Sequence, residues 1–220
     1  DASISAEHML LNLTADASLR EWLANIRKAQ NDSGALPGIV PTGGWGYKWG
    51  CGPIWDNVSV EIPYQLLRFG GDLGVVRENA ATMLRYLSYA LTKRDKRGLV
   101  AYGLGDWVDP FQNENGGRPF APLDFVDSTM IFDYAKKAAF LFRQAGLPHE
   151  AAFASGMTRD FRRALRKHGI DKKTCTAAGA CQTSQALALC HGLFEESELS
   201  TARRRLVELI HDSGDINRCG

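Results

Sequence analysis

The sequence predicts an all-α chain built from antiparallel helical hairpins. Three observations lead there. Apolar residues recur at helical spacing through most of the length, the alternation typical of half-buried strands is nearly absent, and the connections between helical segments alternate between short and long. Consecutive hairpins produce that alternation, because they put every tight turn at one end and every long loop at the other.

The first helix spans about Ser3 to Leu11, with Ile4, His8 and Leu11 on one stripe. The second starts near Asp16, where Ser18 and Glu21 have capping-box spacing, and runs to about Gln30 with Leu19, Trp22, Leu23 and Ile26 as its core face. Val58, Ile62, Leu66 and Phe69 mark the third, in which Pro63 is expected to disturb or kink the first turns. Gly70 and Gly71 stop that helix. Asp72 caps a fourth, which runs to about Arg94 behind Val76, Ala80, Met83, Leu84, Leu87 and Leu91. Pro122 suits the first turn of a fifth helix, which carries Phe125, Ile131, Phe132, Ala135, Ala139 and Phe142 and ends at Gly146. Pro148 opens a sixth that ends near Gly169. A looser stretch from Ile170 to Cys181 precedes a seventh over about Thr183 to Leu193, and the eighth runs from about Glu195 to His211.

The long connections follow the second, fourth and sixth of these helices. The period is about 55 residues, longer than the roughly 33–47 of short solenoid repeats. A long, irregular repeat with its loops gathered on one face fits an α/α toroid, an inner ring of helices enclosed by an outer ring; an ordinary helical bundle or solenoid is the alternative. Loops on a rigid scaffold are where a site is expected.

The 220 residues suit one sizeable domain or a piece of a larger protein. A net charge of +1 gives no electrostatic reason to expect nucleic acid or an anionic membrane surface as partner. No apolar run approaches the roughly 18 residues of a spanning helix. The start, Asp1-Ala-Ser-Ile, reads as helical sequence with no signal-peptide pattern in it, and the compartment stays unassigned. The five cysteines do not form a disulfide framework, and Cys175, Cys181, Cys190 and His191 lack the paired spacing of structural zinc. No metal or cofactor is expected, and Cys190 reads as a small core residue.

The run from Gly43 to Asp56 holds three tryptophans, five glycines and one carboxylate. Indole faces stack on the apolar face of a sugar, and carboxylates accept its hydroxyls, so a carbohydrate site and a Trp-rich core plug are both open readings. The hairpin geometry gathers Asp1, Trp45, Trp49, Trp55, Asp56, Asp106, Trp107 and Asp109 toward one end. Asp56 could instead be an N-cap, and Asp106 a turn aspartate holding its own backbone. Glu61 and Glu78 lie within helices and read as solvated-face residues. Trp22 reads as core.

The phrase Pro53-x-Trp-Asp-Asn-Val-x-Val-x-x-Pro-Tyr-x-Leu-x-Arg-Phe-Gly-Gly-Asp72, followed by Gly103-x-Gly-Asp-Trp107, resembles the catalytic toroid of bacterial α-L-rhamnosidases, the six-hairpin glycosidases. Gln30 with Gly34 and Pro41, and Gln182-Thr-Ser-Gln-Ala-Leu-Ala-Leu189 with Gly192, support it, and Asp1-Ala2 looks like the end of the family's Gly-Asp-Ala phrase. The resemblance implies an (α/α)6 toroid that hydrolyses terminal α-L-rhamnose with inversion, one carboxylic acid protonating the leaving oxygen and a second activating water. It implies that Asp1 binds sugar hydroxyls and that Trp55 and Trp107 line the rhamnose subsite. Asp106, Asp56 and Trp49 join them as candidate substrate-binding residues. The family's general acid would fall before Asp1 and its general base after Gly220. The chain is thus expected to be an inactive fragment of a catalytic domain, about four of six hairpins, whose open edge favours self-association. The expected partner is a rhamnose-containing glycoside. Another six-hairpin glycosidase of different sugar specificity, and a non-catalytic carbohydrate-binding scaffold, are the alternatives.

Overall fold

The structure is a computed structural model that describes residues 2–43, 46–47, 50–107, 114 and 118–219. Among the described residues, nine α-helices follow in order: α1 (Ala2–Asn12), α2 (Asp16–Ala29), α3 (Pro53–Asp56), α4 (Val58–Gly70), α5 (Leu73–Thr92), α6 (Leu123–Gln144), α7 (Pro148–His168), α8 (Gln182–Cys190) and α9 (Leu199–Asp212). Leaving aside the single turn α3, these are the eight expected helices in four consecutive pairs. Short connections lie within pairs and long ones between them. The residues form two compact units, Asp1–Lys93 with Met130–Arg159 and Arg94–Thr129 with Asp160–Gly220. α6 and α7 each contribute to both.

In the first unit, α4 packs against α1, α2 and α5. Leu19, Leu23, Ile26, Ile62, Leu66, Met83 and Leu87 are buried there, on the faces that helical spacing selects. Gly71 ends α4 in the left-handed region at φ 68°, and the Asp72 carboxylate caps α5 by accepting from the Gly74 N–H at 2.6 Å. α4 runs through Pro63 without interruption. Gln30 fastens the end of α2: its amide donates to the carbonyls of Gly34 (2.9 Å) and Thr82 (3.1 Å). Gly34 has φ 92°, and a Cβ there would stand 2.4 Å from the Arg85 carbonyl oxygen, so glycine lets the loop reach α5.

Several expectations for this unit are corrected. The Ile4–His8–Leu11 stripe faces solvent, with Ile4 and Leu11 exposed, and α1 instead buries Ala6 against its neighbours. Ser18 and Glu21 form no capping box; Ala15 holds the N-cap position without a side-chain bond, and Asp16 pairs with Arg20 at 2.7 Å. Phe69 is exposed. Trp22 is half-buried, its indole N–H donating to the Val40 carbonyl at 2.8 Å. Glu61 is not on a solvated face. It is buried, with Lys137 Nζ at 2.6 Å, and Lys137 also reaches Asp133 at 2.6 Å. Glu78 is exposed as expected.

In the second unit, the looser stretch is a two-residue antiparallel ribbon, β1 (Ile170–Asp171) against β2 (Thr176–Ala177), followed by a 3-10 turn. Gln185 of α8 is wholly buried and ties the ribbon to α9: its oxygen accepts from the Ala177 N–H (2.8 Å), and its amide donates to the carbonyls of Cys175 (2.9 Å) and Ala202 (3.0 Å). A capping box does occur here, between Glu195 and Glu198 ahead of α9. Arg166 forks onto Glu198 at 2.8 and 3.0 Å, and that bond, with the Glu195 N–H, draws the Glu198 carboxyl down to about 2. Cys190 is exposed, not core, because α8 ends there. No two of the described cysteines form a disulfide, no His/Cys/Asp/Glu cluster among the described residues could hold a metal ion, and no described helix is long and apolar enough to cross a membrane.

Asp127, in the first turns of α6, is wholly buried and accepts from the N–H groups of Tyr102 (2.8 Å) and Gly103 (3.0 Å) through one oxygen; the other has no partner. Burial raises its pKa to about 6 against the pull of those two bonds. A raised carboxyl pKa means that folding favours the protonated form. The stabilising contribution is therefore complete below the unfolded value of 3.8 and is lost as pH rises through about 6. Asp127→Asn removes this titration. The variant is expected to gain about 3 kcal/mol relative to the parent between roughly pH 4 and pH 7, read by urea unfolding across that range. A pH-independent difference would show that Asp127 does not titrate with folding.

Candidate sugar-binding site

The two Trp-Asp motifs lie one in each unit and share a local design. In the first unit, Gly52 (φ 82°) turns the chain and Pro53 opens α3, whose single turn closes with the Asp56 and Asn57 N–H groups donating to the carbonyls of Gly52 and Pro53 at 2.9 and 3.0 Å. Trp55 is half-buried, whereas Asp56 is 6 % exposed. The Asp56 carboxylate accepts from the Tyr86 hydroxyl of α5 at 2.9 Å, and its main-chain carbonyl accepts from the Ser59 hydroxyl at 2.8 Å. Asp56 is thus not an N-cap: Asn57 stands at that position of α4, without a capping bond.

In the second unit, Trp107 is 50 % exposed and its neighbour Asp106 is 4 % exposed. The Asp106 carboxylate accepts from the Thr183 hydroxyl in the first turn of α8 at 2.6 Å. It is therefore a long-range tie between this loop and α8. Asp127 holds the same loop upstream through Tyr102 and Gly103. Asp1, Trp45, Trp49 and Asp109 lie outside the described residues. In both motifs the indole is left accessible and the acid is turned inward. Sequence reasoning missed Tyr86, Ser59 and Thr183, because a lone hydroxyl within a helix carries no pattern of its own.

The family model for the bacterial α-L-rhamnosidase six-hairpin glycosidase domain matches residues 1–220. The chain belongs to this family. An α-L-rhamnosidase of Formosa agariphila is 25% identical over 228 residues, a match that takes in 100% of this chain and 24% of that protein. An Alteromonas α-L-rhamnosidase is 24% identical, covering 90% of this chain and 22% of its own length. The chain thus spans about a quarter of the curated relatives it matches. Among solved structures, the Streptomyces avermitilis α-L-rhamnosidase complexed with L-rhamnose superposes with a TM-score of 0.86 at 23% identity, covering 100% of this chain and 20% of that one. The Aspergillus terreus enzyme gives a TM-score of 0.87 at 23% identity, covering 99% and 26%. The fold is accordingly all-α, of the (α/α)6 toroid type, as the alternating loops predict.

Proposed function

We propose that this rhamnosidase-family chain forms part of an inverting glycoside hydrolase acting on terminal α-L-rhamnose, and that it supplies sugar-binding wall rather than the catalytic acid and base. The observation that carries this reading is the shared design of the two motifs, an accessible indole beside an inward-turned carboxylate. Rhamnose is a 6-deoxy sugar, and its methyl group adds apolar surface for Trp55 and Trp107 to cover. The L-rhamnose held by the Streptomyces avermitilis relative supports the choice of sugar. Asp1 and Trp49 complete the proposed subsite. Asp56 and Asp106, each buried and accepting from a hydroxyl of a helix in its own unit, support the indole beside them and are not proposed as the general acid.

Thermal melts of the 220-residue chain with L-rhamnose, L-fucose and D-glucose test the reading. L-rhamnose is expected to raise the melting point, the other two are not, and Trp55→Ala or Trp107→Ala is expected to weaken L-rhamnose binding by about tenfold each. Equal stabilisation by all three sugars would point to a glycosidase of other specificity. Sustained hydrolysis of a nitrophenyl rhamnoside would overturn the placement of the acid and base outside the chain.

A further inference from the structure

The feature that the sugar-binding reading leaves unused is the set of buried hydroxyls beneath the two motifs. Tyr86 of α5 and Tyr134 of α6 are both wholly buried, their rings 4.9 Å apart between centroids. Counting protons fixes the direction of their bonds. Ser59 has one hydroxyl proton and donates it to the Asp56 carbonyl at 2.8 Å, so the 2.8 Å contact between Ser59 and Tyr134 is donated by Tyr134. Burial raises the Tyr134 pKa, which keeps that proton on its oxygen. Tyr134 therefore donates to Ser59, which donates to the Asp56 main chain, while Tyr86 donates to the Asp56 side chain. One residue is clamped at both its main chain and its side chain.

That residue closes a four-residue helix and directly follows Trp55. Successive residues in an α-helical turn are set about 100° apart. Fixing which way Asp56 faces thus fixes which way Trp55 faces. The second motif shares the side-chain half of the device, with the Thr183 hydroxyl holding the Asp106 carboxylate beside Trp107.

We propose that Tyr86, Tyr134 and Thr183 are positioning residues: through Asp56 and Asp106 they hold the two indoles in the orientation that receives the sugar. This deepens the sugar-binding reading and rests on it. None of the three need touch the sugar. Their contribution is to remove the orientational freedom an indole on a glycine-rich loop would otherwise lose on binding.

The test labels the 220-residue chain with 5-fluorotryptophan and records fluorine NMR spectra with and without L-rhamnose. Trp55→Phe and Trp107→Phe identify the two resonances. Tyr86→Phe and Tyr134→Phe are expected to move or broaden the Trp55 resonance, leave that of Trp22 in place, and weaken L-rhamnose binding by about fivefold each. Thr183→Val is expected to do the same for Trp107, and Thr183→Ser to restore it. Should a tyrosine variant fail to fold, the Thr183 pair decides the matter. An unmoved indole resonance in folded variants overturns the proposal, and so does a moved resonance with unchanged L-rhamnose affinity. If the parent chain binds no L-rhamnose while the resonances still respond, the anchoring half is supported and the sugar reading is the part that fails.

Discussion

Lys137→Met is expected to destabilise the chain by about 3–5 kcal/mol, an expectation for breaking a buried ion cluster at its shared partner. Lys137 Nζ stands 2.6 Å from both Glu61 and Asp133, and the side chains of the three are 21%, 9% and 8% exposed. Glu61 also accepts from Gln65 at 2.7 Å, and Gln65 accepts from Arg68 at 3.0 Å. Burial disfavours the Lys137 ammonium, but Asp133 and Glu61 together outweigh it and hold its pKa above the ordinary value. That stabilisation is present below the unfolded value of 10.5 and is lost as pH rises through the folded one. A methionine fills similar space but strands two carboxylates beside each other. At roughly 2–4 °C per kcal/mol for a chain of this size, the melting point should drop by about 10 °C. Calorimetry at neutral pH measures it. The triple variant Glu61→Gln, Asp133→Asn, Lys137→Met should recover much of the loss, since no charge is then left unpaired. A single variant as stable as the parent would remove the cluster from the account of the fold.

Gln185→Leu is expected to be nearly as damaging, by about 3 kcal/mol, because it takes the side-chain partner from two buried main-chain groups at roughly 1–3 kcal/mol each, less some relaxation. The groups are the Ala177 N–H and the Cys175 carbonyl; the Ala202 carbonyl loses a second donor but stays within the α9 ladder. Leucine matches the side chain in size, so the loss reports hydrogen bonding and not a cavity. Amide exchange provides the local check: the Ala177 N–H should lose protection before the rest of the second unit. Ser88→Ala, which removes only an exposed hydroxyl bonded within its own helix, should change stability by less than about 0.5 kcal/mol. Intact Ala177 protection in a folded Gln185→Leu variant would show that the ribbon is held by something else.

The pairing of helices, and most of their ends, could be read from the chain because their causes are local. Gly71, Asp72, Gly146 and Pro148 punctuate helices through their own backbone and side-chain geometry. The motif tryptophans were legible as accessible aromatics on glycine-rich loops. What sequence hides is the direction of the acids beside them. Asp56 faces Tyr86, 30 residues away, and Asp106 faces Thr183, 77 residues away. Glu61 looks like a solvated helix residue until Lys137 is placed against it by the fold. The first helix failed for a related reason: periodicity shows that Ile4 and Leu11 share a face, but not whether anything covers it. The ribbon and α3 are shorter than any period can register.

The ribbon has one more consequence. Its feet are fixed by Gln185 and by the 2.8 Å bond from the Ala178 N–H to the Gly169 carbonyl, while Lys172, Lys173 and Thr174 at its tip are exposed. Anchorage and reach are thereby separated. The tip is the place in this unit where the chain can be lengthened, cut or tagged with the disturbance stopping at the two anchored feet.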